Sequence, residues 1–219
     1  DNTQGNRELD IWGSNITGVA IQPPAPPPPY LPGTGSRTFP ETGKTVTALF
    51  LDYWNRNGGL AQLGLPISSV ITETSELDGK IYTLQYFERA IMEYHPLNPS
   101  TSRVLLSQLG TFRYNQKYPQ AAPGQIVPTD LDARLFPETG KTIGGLFRKY
   151  WESHGGLAIQ GYPISEPFTE ISDLDGKAYT VQYFQRAVFE LHPENPAPYD
   201  VLLSQLGTFR YQSKYPPQR

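Results

Sequence analysis

The sequence predicts an α+β protein built from two tandem homologous repeats, each a small α-β-β-β-α unit, preceded by an extended Pro-rich N-terminal arm. Three observations predict it. Phe39–Pro119 aligns with Phe136–Pro216 without a gap and most aligned positions are identical, which at a fixed offset over so long a stretch means duplication. Each copy passes from a helix-period apolar stripe into strand-like aromatic alternation. The residues ahead of the first copy lack both the duplication and the helical stripe and hold the run PPAPPPPYLP. The chain accordingly divides into an N-terminal arm over residues 1–22, a Pro-rich linker over 23–38, repeat 1 over 39–119, a second linker over 120–135 and repeat 2 over 136–219.

In the arm, Leu9 and Ile11, then Val19 and Ile21, alternate as strand residues do, with Trp12 and Ile16 between them. The arm is apolar enough to need a surface and too short to build a core of its own. A strand donated to a neighbouring subunit satisfies both conditions, with Leu9, Ile11, Trp12, Ile16, Val19 and Ile21 as its docking side chains. The prolines that follow favour polyproline II, so Pro23–Pro32 spans on the order of 30 Å at about 3 Å per residue.

Each repeat opens FPETGKT and then places Val46, Leu49, Phe50, Tyr53 and Trp54, matched by Ile143, Leu146, Phe147, Tyr150 and Trp151. That spacing is the apolar stripe of an amphipathic helix. Gly58-Gly59 and Gly155-Gly156 stand where a left-handed C-cap ends it. The runs after Pro66 and Pro163 read as edge strands, where a missing N–H is tolerated. Asp78-Gly79 and Asp175-Gly176 predict tight turns, because glycine takes positive φ without steric cost. YTLQYF and AIMEYHP, with their counterparts YTVQYF and AVFELHP, supply two further strands. Val104–Gly110 and Val201–Gly207 read as a short helix ending at its glycine. Each repeat is expected to hold its own core.

The segments YWNRNGGLAQLGLPIS and YWESHGGLAIQGYPIS, followed by DGK, QYF and HP, resemble LGFP-type repeats of exported bacterial proteins, particularly Chloroflexus-like variants. Leu63-Gly64-Leu65-Pro66 and Gln160-Gly161-Tyr162-Pro163 occupy the name-giving tetrapeptide. The resemblance covers both repeats and not residues 1–38. It implies modules of cell-envelope or secreted proteins that bind cell wall or glycan, often beside a hydrolase. Where many family members have Gly after the aromatic element, this chain has Arg89-Ala90 and Arg186-Ala187.

Composition narrows the function classes. The net charge of −3 and pI near 5.6 come without the clustered Lys/Arg that a phosphate backbone requires, so nucleic acid is not an expected partner. No apolar run reaches the roughly 18–20 residues of a membrane span. The absence of cysteine removes disulfides and thiolate metal sites. A first residue Asp1 and few oxidisable residues suggest a chain processed by signal-peptide removal and working outside the cell or at its surface. Asn15–Thr17 is a glycosylation acceptor in a suitable host.

Candidate chemistry is sparse. Glu93 with His95, and Glu190 with His192, stand i and i+2 on a strand and share one face, but a catalytic histidine needs further positioned partners, and we read both pairs as polar sheet residues. Ser172–Lys177 contains a D-x-D-G pattern, yet position twelve of a calcium loop counted from Asp173 is Phe184, where a bidentate Glu belongs. No phosphate loop, HExxH or nucleophile elbow occurs. The sequence therefore predicts no catalytic residue, no metal and no cofactor. Tyr82, Tyr86, Tyr179 and Tyr183 could stack on sugar rings or close a small core. The leading expectation is a non-catalytic extracellular structural protein whose partners are other copies of itself, assembled head to tail into a surface filament through the arm. The alternative is a cell-wall or glycan-binding repeat module, and the third an accessory part of a secreted hydrolase.

Overall fold

The computed structural model describes residues 31–76 and 78–216. Helices and antiparallel sheets mix within them. In the first half β1 (Ser36–Phe39) and β2 (Lys44–Thr47) form a hairpin, followed by α1 (Ala48–Arg56), α2 (Gly59–Leu63), β3 (Ile71–Thr74), β4 (Ile81–Tyr86), β5 (Ile91–Tyr94), β6 (Val104–Leu106) and α3 (Leu109–Lys117). The second half runs β7 (Arg134–Phe136), β8 (Lys141–Ile143), α4 (Gly145–Ser153), α5 (Gly156–Ile159), β9 (Phe168–Ile171), β10 (Ala178–Tyr183), β11 (Val188–Leu191), β12 (Val201–Leu203) and α6 (Leu206–Lys214).

This order is richer than α-β-β-β-α. FPETGKT does not open a helix: it turns β1 into β2, with the Gly43 amide donating to the Phe39 carbonyl at 2.8 Å and Gly43 at a φ of +64°. Val46 and Ile143, the first residues of the apolar stripe, therefore sit on β2 and β8, both fully buried. The rest of the stripe forms the helix as expected. Phe50 and Trp54 are buried from α1, and the Trp54 indole donates to the Gly64 carbonyl at 3.0 Å. Gly58 takes the left-handed conformation just past α1, at a φ of +82°. A short second helix, α2, follows it.

Each four-stranded sheet is a meander, ordered β3-β4-β5-β6 and β12-β11-β10-β9. The strand after each proline, β3 or β9, lies at an edge as predicted, while Pro66 and Pro163 themselves make isolated bridges to Phe87 and Phe184. Val104–Gly110 is not a helix. Its first three residues are β6, antiparallel to β5, and its last two already belong to α3.

Each half keeps a core cluster of its own, around Phe50, Trp54 and Met92 in the first and Phe147, Trp151 and Phe189 in the second, and a third cluster is shared between them. Helix α3 leaves the first half and packs on the second sheet, and α6 returns to pack on the first. The Thr111 amide donates to the Gln185 carbonyl at 3.1 Å, and the Thr208 amide to the Glu88 carbonyl at 3.0 Å. Tyr114 of α3 meets Tyr183 of β10 with ring centroids 5.2 Å apart, and Tyr211 of α6 meets Tyr86 of β4 at 5.1 Å. One buried cluster joins Leu84, Tyr86 and Ile91 to Leu109, Tyr183 and Leu206. Burying such side chains is worth about 1.5–3 kcal/mol each, so the shared layer is a main source of stability for both halves.

Candidate functional site

The arm residues Leu9, Ile11, Trp12, Ile16, Val19 and Ile21 lie outside the described residues. The candidate surfaces on the body follow from the exchanged helices. In the first half a cleft of about 210 Å³ opens between the β3–β6 sheet, the start of α3 and the end of α6. Tyr82, Phe112, Glu73, Glu76 and Glu93 line it, with Arg210 and Lys214 reaching in from α6. The corresponding space of the second half, beside Tyr179 and Phe209, holds about 20 Å³.

The four candidate stacking tyrosines separate into two kinds. Tyr86 and Tyr183 are fully buried under α6 and α3, and burial above all, with Glu73 and Glu170 beside them, pushes their phenols far above the ordinary range. They are core residues and not a sugar platform. The sequence could not show this because the covering helix comes from the other repeat. Tyr82 and Tyr179 stay part-exposed. Each ring lies against a histidine, with centroids 4.4 Å apart for Tyr82 and His95 and 4.2 Å for Tyr179 and His192. Each hydroxyl donates to the turn aspartate, Asp78 or Asp175, at 2.7 Å.

The strand pairs Glu93/His95 and Glu190/His192 do share one face. His95 Nε2 lies 3.1 Å from Glu93 and the Ser107 hydroxyl donates to the same carboxylate. In the second half Ser204 donates to Glu190, and His192 lies 3.6 Å from Glu190 and 2.9 Å from Glu194. Both glutamates are thus already engaged by two neighbours. The same is true at the helix ends, where Lys117 and Tyr118 hold Glu170 at 2.7 and 2.6 Å, and Lys214 and Tyr215 hold Glu73. Burial works to raise the Glu73 carboxyl, but the hydrogen bonds from Lys214 and Tyr215 and the Lys214 charge outweigh it and hold the group below its ordinary value. The aspartate of the D-x-D-G pattern is spent likewise: Asp173 accepts from Arg113 at 2.5 Å and Lys117 at 3.0 Å. No group of three or more His, Asp or Glu that could hold a metal occurs among the described residues.

A second concavity, about 360 Å³, lies on the second half between the chain segment 124–130, the start of α4 and strand β9. Its lining is mainly apolar and includes Ile126, Leu146, Phe147, Pro167 and Leu191. The linker is fastened beside it by the Ile126 amide, which donates to the Pro167 carbonyl at 2.9 Å, and by the Gln125 side chain, which accepts from the Glu166 amide at 2.8 Å. Among the described residues, no backbone group bonds to the outer edge of β9 or of β3.

No helix among the described residues is long and apolar enough to cross a membrane. Comparison with known protein families, with curated proteins and with solved structures finds no match to this chain.

Proposed function

We propose that the chain is a non-catalytic extracellular structural protein, two homologous repeats and a Pro-rich arm, that assembles head to tail by docking its N-terminal arm on the next copy. The observation that supports this most is the pair of unpaired sheet edges, β3 and β9, on a body whose halves are locked together by exchanged helices. Unpaired edges are templates for strand addition, with backbone groups supplying affinity and alternate side chains specificity. The arm offers the matching alternation at Leu9, Ile11, Val19 and Ile21. A contact between two different surfaces repeats without closing unless its rotation happens to close a ring, and so builds a filament. Export fits the composition argued above, and no partner beyond other copies is required.

Deleting residues 1–22 tests this reading. The expected product is a folded monomer by light scattering and negative-stain microscopy, and a free peptide of residues 1–22 should compete with assembly of the full chain. Wild-type-sized assemblies from the deletion variant would reduce the arm to a tether. A second reading would then lead, and the cleft of the first half favours it: a carbohydrate-binding module. Tyr82 would offer an apolar face to a sugar ring, and the more exposed Glu76 carboxylate at the rim would accept hydroxyl hydrogens. Retention of the deletion variant on purified cell wall would support it.

A further inference from the structure

The groove of about 360 Å³ on the second half is lined at positions that differ between the two copies. In the first half Leu31, Leu49, Val70 and Tyr94 pack against the core cluster at the equivalent positions. In the second half these positions are Pro128, Leu146, Pro167 and Leu191. A leucine and a tyrosine have been exchanged for smaller side chains, and Leu146 is left 42% exposed. At these positions the first half carries an aliphatic and an aromatic side chain, each packed against its own core cluster.

We propose that the groove beside β9 receives the Leu9–Trp12 segment of a second copy of this chain, with Trp12 taking the place that Tyr94 holds in the first half. This rests on the assembly reading above and gives it a location. Strand β9 supplies a free edge for the arm backbone, and Ile171, 59% exposed there, supplies an apolar neighbour. An arm docked in this groove gives each copy a donor and an acceptor surface, as an unbranched polymer needs.

Two measurements on the full chain test the site. Leu146→Asp places a charge where an apolar side chain should seat, and raises the concentration needed for assembly by at least about tenfold. Leu97→Asp, at an apolar residue almost fully exposed outside the groove lining, leaves that concentration unchanged. Both variants should melt with the wild type. Because the chain has no cysteine, a disulfide between two single variants reports the contact directly. A mixture of Ser14→Cys protein with Ile126→Cys protein should give a crosslinked heterodimer, at least about tenfold above a mixture of Ser14→Cys with Leu97→Cys, since a disulfide needs Cα atoms within about 7 Å. Arm-dependent assembly unaffected by Leu146→Asp, or no crosslink above the control, overturns the groove while leaving the assembly reading intact. Wild-type protein that stays monomeric removes both.

Discussion

Gly110 sits in the first turn of α3, where an added methyl should strengthen the helix: alanine is favoured over glycine by about 1 kcal/mol in helix interiors. The structure predicts the opposite sign. A Cβ built at Gly110 lands on the Phe184 carbonyl oxygen and lies 2.9 Å from the Ala187 carbonyl oxygen and 3.1 Å from the Phe184 carbonyl carbon. Carbon normally approaches such an oxygen at about 3.3–3.6 Å. The obstacle is backbone, and it cannot swing aside, because the Phe184 amide is bonded to the Ala187 carbonyl at 2.8 Å. The helix must lift instead, which loosens the Thr111–Gln185 hydrogen bond and the Leu109 contacts. Overpacking of this kind costs about 1–3 kcal/mol, and the weakened hydrogen bond about another 1 kcal/mol. After the gain in propensity, Gly110→Ala should destabilise by about 1–3 kcal/mol, at about 2–4 °C of melting temperature per kcal/mol for a chain of this size. Urea titration followed by tryptophan fluorescence measures it. Gly207→Ala, which meets the Phe87 and Ala90 carbonyls in the same way, should behave alike. If both substitutions prove neutral or stabilising, as in an isolated helix, the exchange of α3 and α6 between halves is wrong.

Two further outcomes are expected of the folded body. Because Glu73 and Asp173 are held below their ordinary carboxyl values of 4.5 and 3.8 by their lysine and arginine partners, their contribution is present above those values and lost as pH falls through the depressed ones. Stability should thus decline from about pH 4 downward, and Glu73→Gln should flatten that decline in thermal melts recorded across pH. Trp54→Ala removes a 7%-exposed indole that also caps the Gly64 carbonyl, and should cost about 3–5 kcal/mol in a denaturant titration.

Local pattern was legible in the sequence wherever one element decided its own fate. The α1 stripe at Leu49, Phe50, Tyr53 and Trp54, the Gly58 cap, the Asp-Gly turns and the edge position of β3 all depend on neighbours within a few residues. Four features were not legible. The ETG of FPETGKT turns a hairpin, but a polar start before an apolar period reads equally as a helix N-terminus. Gly110 follows an apolar run and so resembles a C-cap, although its use is to let a helix touch a distant backbone. Sequence alone does not distinguish a glycine needed for positive φ from one needed for close approach. Tyr86 and Tyr183 alternate like exposed strand residues because their cover arrives from the other repeat. The open groove was equally hidden, since Leu31→Pro128 and Tyr94→Leu191 look like ordinary drift between copies until both are seen to line one space.

The reciprocal helices also set an order of events during synthesis. When the first half leaves the ribosome, Leu84, Tyr86 and Ile91 lack the part of their cover that is encoded at Leu206–Lys214, more than a hundred residues later. Helix α3, already made, has nowhere to dock until β10 appears. The nascent chain must therefore wait as a half-covered sheet, and native contacts of such long sequence separation slow the final collapse. At high local concentration a waiting sheet can instead accept the α6 of a neighbouring chain, so that two molecules trade ends.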